Sequence, residues 1–84
     1  MRYRILYFAS LRDAAGRDQE QVDSAQADAR SLYGDLRVRY GFGLPAERLR
    51  VAVNGEFAAW DRALVDGDEV AFLPPVSGDR KSVV

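Results

Sequence analysis

The chain has 84 residues, of which 48% are hydrophobic and 30% charged, which suits one small globular domain. Twelve basic and thirteen acidic residues give a net charge of −1 without a long basic run, so we expect no nucleic-acid partner. No uncharged apolar run approaches the length of a membrane span, and the start has no secretory pattern. We therefore expect a cytoplasmic location and no membrane partner.

Histidine and cysteine are both absent from the sequence. Disulfides, thiolate nucleophiles, the usual zinc ligands and imidazole acid–base chemistry are thereby excluded. We expect no metal site, no cofactor and no catalytic side chain of the chain's own. Asp66, Asp68 and Glu69 match the spacing of no known cation loop, and we interpret them as a turn with surface charges.

The first strand is predicted over residues 3–8, an apolar and aromatic run. Alternation with period two places Arg4, Leu6 and Phe8 together on the face away from the core. Leu6 and Phe8 would then be partly exposed, which a monomer avoids. Their exposure predicts that another protein covers this face.

Two weaker elements follow the first strand. Residues 10–16 predict a helix of one or two turns, with Ser10 as its N-cap and Gly16 as its end. Residues 18–23 are polar around a single strong apolar residue, Val22. This segment predicts an edge strand that pairs with the first strand.

One substantial helix is predicted from Asp28 onwards. Its apolar residues fall at helical spacings: Ala29, Leu32, Tyr33, Leu36 and Tyr40. Asp28 suits the N-cap and Gly41 the position just after the helix. Gly34, inside the helix, costs about 1 kcal/mol relative to alanine. A close packing contact would explain it.

The second half of the chain predicts strands joined by tight turns. A loop with one 3₁₀ turn leads into a strand at residues 49–53. Asn54-Gly55 then predicts a type I′ hairpin, because both residues tolerate positive φ angles. A short return strand follows through Phe57, while Trp60 is expected to pack and Leu64 to lie in the core.

The final strand is predicted over residues 69–73, after the Asp66-Gly67 turn. Alternation places Leu73 on the same outward face as Ala71, away from the core. Pro74-Pro75 removes two amide donors and fixes two φ angles, so strand pairing must stop there. We expect an extended arm to leave the sheet from Pro74.

This order of elements predicts an α+β roll, in which a mixed sheet packs on one main helix. The first and last strands are expected to be parallel, central neighbours, because the helix-containing middle supplies the long crossover that parallel pairing needs. Residues 1–78 would form a single domain with its projecting arm. Residues 79–84 would be an atypical extension, which we expect to be disordered.

Three stretches carry a family resemblance: LYFASLRDAAG at residues 6–16, VAVNG at residues 51–55, and DGDEVAFLPPVSG at residues 66–78. On these residues the chain resembles the small-subunit (MoaD) family of molybdopterin synthase up to Gly78. Gly-Asp-Glu-Val is common among β-grasp proteins, whereas Pro-Pro-Val-Ser-Gly favours this family over the ThiS carriers of the thiamine pathway. The resemblance implies a ubiquitin-like β-grasp fold.

The resemblance also implies a sulfur carrier in molybdenum cofactor biosynthesis. In the family, an adenylating enzyme of the ubiquitin-activating (MoeB) type uses ATP to activate the terminal glycine carboxylate, which becomes a thiocarboxylate. A MoaE-type large subunit accepts the tail and transfers the sulfur to cyclic pyranopterin monophosphate. Such a carrier needs a projecting terminus and a docking face rather than catalytic side chains.

The residues implied in this function lie at the end of the chain and on the outward face of the sheet. Gly78 is the nearest match to the reactive glycine. The expected partner-binding residues are Phe8, Arg12, Phe57, Leu73, Pro74, Pro75, Val76 and Ser77. Phe8, Phe57 and Leu73 are expected to form one exposed apolar patch that leads to the tail.

The end of the sequence departs from the family pattern. Asp79 stands where the family has its second terminal glycine, and five further residues follow it. As written, the chain is not expected to be a competent carrier. Three explanations stay open: proteolysis that exposes Gly78, a variant that has lost the second glycine, or a β-grasp module that docks without carrying sulfur. A ThiS-like carrier for thiamine synthesis is a further alternative.

Overall fold

The structure is a computed structural model, and it describes residues 1–75. It contains five strands, two α-helices and one 3₁₀ turn. In chain order these are β1 (Arg2–Tyr7), α1 (Ala9–Ala15), β2 (Gln19–Asp23), α2 (Ala29–Tyr40), the 3₁₀ turn (Ala46–Arg48), β3 (Arg50–Val53), β4 (Glu56–Ala58) and β5 (Glu69–Leu73). The predicted strands and main helix are confirmed, with ends that differ by at most one residue.

The five strands form one mixed sheet in the order β2-β1-β5-β3-β4. β1 and β5 pair in parallel in the interior of the sheet, and the other neighbouring strands are antiparallel. This topology confirms the predicted β-grasp roll. It also places β5, the strand that leads into the C-terminal segment, at the centre of the sheet.

The core lies between the sheet and α2 and is rich in aromatic side chains. Phe72, on the central strand, is fully buried. Its ring stacks on Trp60 at a centroid distance of 5.9 Å and approaches Tyr33 of α2 at 5.2 Å. Leu64 is 4% exposed and belongs to the same core. The predicted packing roles of Trp60 and Leu64 are thus confirmed.

Both ends of α2 follow local rules. The Asp28 carboxylate accepts a hydrogen bond of 2.7 Å from the Ser31 N–H, as an N-cap side chain does. Gly41 takes a left-handed conformation, and its N–H donates to the Arg37 carbonyl. Gly34, in contrast, lies exposed, and a Cβ added there would meet no atom of residues 1–75 within 4 Å. The described part of the chain therefore makes no close packing contact at Gly34.

Replacement of Gly34 with alanine is expected to stabilise the fold. The φ of Gly34 is helical and the space beside its Cα is open, so the helix gains propensity without a clash. We expect the free energy of unfolding to rise by about 1 kcal/mol. Urea denaturation measures this change. An unchanged or lower stability would mean that the helix at Gly34 needs the glycine for a reason other than packing.

The start of α1 differs from the prediction that Ser10 caps it. The N-cap is Phe8, which is extended and makes no side-chain capping bond. The Phe8 carbonyl accepts hydrogen bonds from the N–H groups of Leu11 and Arg12, and Ala9 turns the chain with a φ of 52°. Because the backbone turns one residue earlier than expected, Ser10 lies inside the first helical turn.

The edge strand β2 is held by a buried carboxylate. Glu20 has a side-chain exposure of 9%, and its Oε2 accepts hydrogen bonds from the hydroxyl groups of Tyr7 (2.5 Å) and Tyr40 (2.6 Å). Its Oε1 lies 3.3 Å from Arg17. This cluster ties β2 to β1 and to the last turn of α2, which explains why so polar a strand keeps its place.

Alkaline pH is expected to destabilise the fold through its tyrosines. Burial, followed by the hydrogen bond to Glu20, raises the pKa of both Tyr7 and Tyr40. Burial also raises the pKa of Tyr3 and Tyr33. Because the pKa of each tyrosine is higher in the folded state than in the unfolded state, the unfolded chain loses its tyrosine protons at a lower pH than the folded chain does. Stability should therefore be complete below about pH 10 and fall above it, by at most about 1.4 kcal/mol per pH unit for each such tyrosine.

This pH dependence is measured by denaturant unfolding between pH 8 and pH 11, values around the ordinary tyrosine pKa of about 10. A Tyr40→Phe variant removes one titrating group and should flatten the alkaline slope. A stability that stays constant across this range would contradict the account.

The two tight turns of the second half, Asn54-Gly55 and Asp66-Gly67, lie at the end of the sheet opposite Leu73. Asn54 and Gly55 have φ angles of 54° and 86°, which confirms the predicted hairpin. Asp68 is 8% exposed, so its interpretation as a surface charge is wrong. It accepts hydrogen bonds from the Val65 N–H and from the Asn54 side chain. The Val65 bond above all holds the pKa of Asp68 below its ordinary value, although burial opposes this shift.

Residues 1–75 include no helix with the length and apolar character needed to cross a membrane.

Candidate functional site

The core and α2 lie on one face of the sheet. We call the opposite face the outer face; within residues 1–75 no helix forms a core against it. One cross-strand row on this face runs through Leu6, Ala71, Ala52 and Phe57, which lie side by side in the strand register. Leu6 and Ala52 are half-buried, Ala71 is 9% exposed, and Phe57 is 70% exposed. Small alanines in the middle and larger side chains at the ends give the row a shallow apolar surface.

A second set of apolar side chains lies where β1 and β5 end. Tyr7 pairs with Phe72, so the next residues along these parallel strands, Phe8 and Leu73, extend the same alternation on the outer face. Phe8 is 41% exposed and Leu73 is half-buried. The strand register places Leu73 and Phe57 on the outer face, whereas Phe8 lies just beyond the paired residues of β1, so its part in one patch with them stays a prediction.

The turn after β1 leads into the short helix α1, which carries a predicted partner-binding residue. Ala9 has a positive φ, which is uncommon for a residue with a Cβ and costs of order 1 kcal/mol or more. It sends the chain directly from Phe8 into α1. Arg12, predicted as a partner-binding residue, is exposed in the last turn of that helix, and its contact with a partner stays a prediction.

A groove of about 560 Å³ runs beside the end of β5. Phe57 and Leu73 line it together with Trp60, Pro74 and Pro75, whereas Phe8 does not. Pro74 is buried and Pro75 exposed. The arm predicted to begin at Pro74 thus starts with a residue that still belongs to the folded body. Among the predicted site residues, Val76, Ser77 and Gly78 lie outside the described residues.

Arg50 belongs to this site, although the sequence did not single it out. It pairs with Leu73 across β3 and β5, and its guanidinium carbon lies 5.9 Å from the centroid of the Phe57 ring. This geometry is a cation–π contact at an exposed ring. The signal was present in the alternation of β3, which places Arg50 and Ala52 on the outer face.

The site offers surfaces for recognition. Within residues 1–75, no group of three or more aspartate, glutamate, histidine or cysteine residues is arranged to hold a metal ion. The apolar outer face and the groove are surfaces on which a protein can pack, and both adjoin the end of the central strand. A partner that covers them is held next to the chain that follows Pro75.

Comparisons with known proteins identify the family of the chain. The sequence model of the ThiS family matches residues 5–78. The molybdopterin synthase sulfur carrier subunit of Escherichia coli is 35% identical over 78 residues, which cover 89% of this chain and 96% of that protein. The protein of the same name from Mycobacterium tuberculosis is 33% identical over 82 residues, covering 93% and 98% of the two chains.

A solved structure supports the relationship. SAMP1 from Haloferax volcanii superimposes with a TM-score of 0.76 at 31% identity, covering 93% of this chain and 99% of that one. The family match covers most of the chain, and the sequence relatives match over almost their full length. The chain therefore belongs to the ThiS family, the family of β-grasp proteins that includes the MoaD-type sulfur carriers.

Proposed function

We propose that this chain is the sulfur-carrier small subunit of molybdopterin synthase. In this role a C-terminal glycine thiocarboxylate donates sulfur to cyclic pyranopterin monophosphate in a complex with a MoaE-type large subunit. The observation that carries the proposal is the similarity, over almost their full length, to curated proteins named molybdopterin synthase sulfur carrier subunit at 32–35% identity. We place this reaction in the cytoplasm, because the cytoplasm supplies the ATP that activation needs.

The architecture suits a carrier whose reactive group is its own terminus. β5 is the central strand of the sheet and is held by neighbours on both sides, so the chain leaves the body from a fixed position. Pro74 and Pro75 follow at once and limit the conformations of the segment that enters a partner. The apolar outer face lies beside this exit. One partner surface can therefore dock on Leu73 and Phe57 while its channel receives the residues after Pro75.

The chemistry requires help from other proteins because the chain has no histidine and no cysteine. A MoeB-type enzyme would transfer AMP from ATP to the terminal carboxylate and release pyrophosphate, which makes the carboxyl carbon electrophilic. A donor of sulfide-level sulfur then attacks this carbon, the bond to AMP breaks, and AMP leaves behind a thiocarboxylate. Glycine suits this position because a missing Cβ lets the main chain pass through a narrow channel to the ATP site.

We assign Gly78, at which the family match ends, to the terminal glycine pair that carries this chemistry in the family. Asp79 adds a Cβ and a negative charge at the position of the family's second glycine. Activation thus requires a terminus that ends in glycine. We define the trimmed form as the chain with Asp79→Gly that ends at this position, which keeps every residue of the described body.

The test is a reconstitution of molybdopterin synthesis. The trimmed form is incubated with a MoeB-type enzyme, ATP and a sulfur donor, and then with a MoaE-type large subunit and cyclic pyranopterin monophosphate. We expect molybdopterin to form. The chain that continues to Val84 serves as the matched control and is expected to support synthesis only after cleavage at Gly78. Failure of a folded trimmed form to make product would contradict the proposal.

A protein modifier is the second candidate, because SAMP1 of Haloferax volcanii, at 31% identity, is the small archaeal modifier protein 1. A modifier would use an activated terminus to join an amine rather than to carry sulfur. Incubation of the trimmed form with cell extract and ATP separates the two functions. Covalent adducts on other proteins without molybdopterin synthesis would favour the modifier, whereas sulfur transfer to a thiazole synthase would favour a ThiS-type carrier.

A further inference from the structure

The ion pairs of the folded body leave an excess of positive charge beside the end of β5. Arg4 pairs with Glu69 at 3.9 Å, and Arg2 with Asp23 at 3.2 Å, so the cations at the other end of the outer face have acidic neighbours. Arg48 and Arg50 take part in none of the ion pairs found within residues 1–75. This local excess contrasts with the net charge of −1 for the whole chain.

Both arginines line the groove beside Pro74 and Pro75, together with one acidic residue, Glu47, whose carboxylate is paired with Arg30 at 3.9 Å. Arg50 lies over the Phe57 ring, which removes water from one side of the guanidinium and leaves its N–H groups for other partners. A guanidinium is weakly hydrated and binds carboxylates through two parallel hydrogen bonds, so it suits a protein interface better than a lysine does. The groove thus combines an apolar floor with two available cationic groups.

We propose that this groove binds a carboxylate-bearing segment of the large subunit, with Arg48 and Arg50 paired to its acidic side chains. The inference rests on the proposed function, and it names the chemistry that the partner presents at this position. Apolar side chains of the segment would pack on Phe57 and Trp60. The groove adjoins the exit of the chain at Pro75, so the subunit that receives the tail is in position to fill it.

The same partner would use two different kinds of contact. On the outer face, Leu73 and Phe8 offer apolar surface. Its burial by the partner contributes affinity that depends little on salt concentration. In the groove, the arginines offer charge, which speeds association and fixes the orientation of the partner. Charge contacts at the border of an interface weaken as salt screens them, whereas apolar contacts do not. Salt dependence therefore separates the contribution of the groove from that of the outer face.

The test measures the affinity of the trimmed form for a MoaE-type large subunit by titration calorimetry at low and high salt. We expect Arg50→Glu and Arg48→Glu to weaken binding at low salt by roughly tenfold or more each, because like charges then face each other. High salt should reduce these differences. Arg39→Glu, which makes the same charge change on an exposed residue of α2, is the matched control and should leave the affinity unchanged.

Three results would overturn the inference. Equal effects of Arg50→Glu and Arg39→Glu would assign the loss to net charge rather than to the groove. Unchanged affinity for the large subunit in both groove variants would show that the arginines do not face it. A loss seen only in the rate of thiocarboxylation would place the acidic segment on the adenylating enzyme. The parent trimmed form distinguishes these results from failure of the proposed function, since that failure would abolish binding before any arginine is changed.

Discussion

Replacement of Leu73 with aspartate is expected to weaken strongly the binding of the chain to a MoaE-type large subunit. Leu73 is half-buried on the outer face, pairs with Arg50 and lines the groove. A carboxylate there would lose its water when the partner docks and find an apolar surface in return. Central apolar contacts of this kind carry most of the energy of an interface, so we expect a loss of about hundredfold or more.

The measurement is a calorimetric titration of the trimmed form, with the large subunit in the cell. Val38→Asp is the matched control, because Val38 is 86% exposed on α2 and lies away from the outer face. Phe8→Asp is a second test of the same surface. Circular dichroism and urea denaturation check that each variant is folded. If folded Leu73→Asp binds as tightly as Val38→Asp, the outer face is not the docking surface.

Replacement of Phe72 with alanine is expected to have the largest effect on stability. The ring is completely buried between the central strand and α2, and it contacts Tyr33 and Trp60. Truncation removes apolar burial and leaves a cavity, which costs about 3 to 5 kcal/mol for a phenylalanine. A small domain has a total stability of about 5 to 15 kcal/mol. A large part of the unfolding free energy would therefore be lost.

Phe57→Ala provides the comparison for this result, because Phe57 is 70% exposed and its truncation should change stability by less than about 0.5 kcal/mol. The two variants should then separate folding from docking. Phe72→Ala would lower the urea midpoint, whereas Phe57→Ala would weaken partner binding in a folded protein. A cost below about 1 kcal/mol for Phe72→Ala would contradict the packing described for the core.

Alternation and turn chemistry were sufficient to predict most of the fold. Leu73 was assigned to the outward face by period two, and the structure agrees, since Leu73 pairs with the exposed Arg50 while its neighbour Phe72 is buried. The N-cap of α2 at Asp28 was predicted from local rules because its partner, Ser31, lies three residues away. Such short-range interactions are visible in a sequence, since they depend on spacing alone.

Features that depend on tertiary contacts were not predictable. Ser10 was a reasonable cap by residue type, but the positive φ of Ala9 moved the turn to Phe8. Asp68 was taken as a surface charge because its partners, Asn54 among them, are brought to it only by the folded sheet. Gly34 suggested a close contact that the described part of the chain does not make.

The candidate site was partly predictable for the same reason. The apolar residues of the outer face follow from strand periodicity, so Phe57 and Leu73 were found. The groove requires the ends of β3, β4 and β5 to meet, and no local pattern reveals that meeting. Arg50 was missed because a single arginine in a strand is ordinary, and only its contact with Phe57 distinguishes it.

The most direct test of the central claim is the intact mass of the protein, first as purified from its native cells and then after incubation with the adenylating enzyme, ATP and a sulfur donor. The account predicts a species that ends in glycine and in which sulfur has replaced one oxygen of the terminal carboxylate. The trimmed form should reach this state in the reconstituted reaction. A trimmed form that keeps its unmodified mass beside an active adenylating enzyme would contradict the assignment of a sulfur carrier.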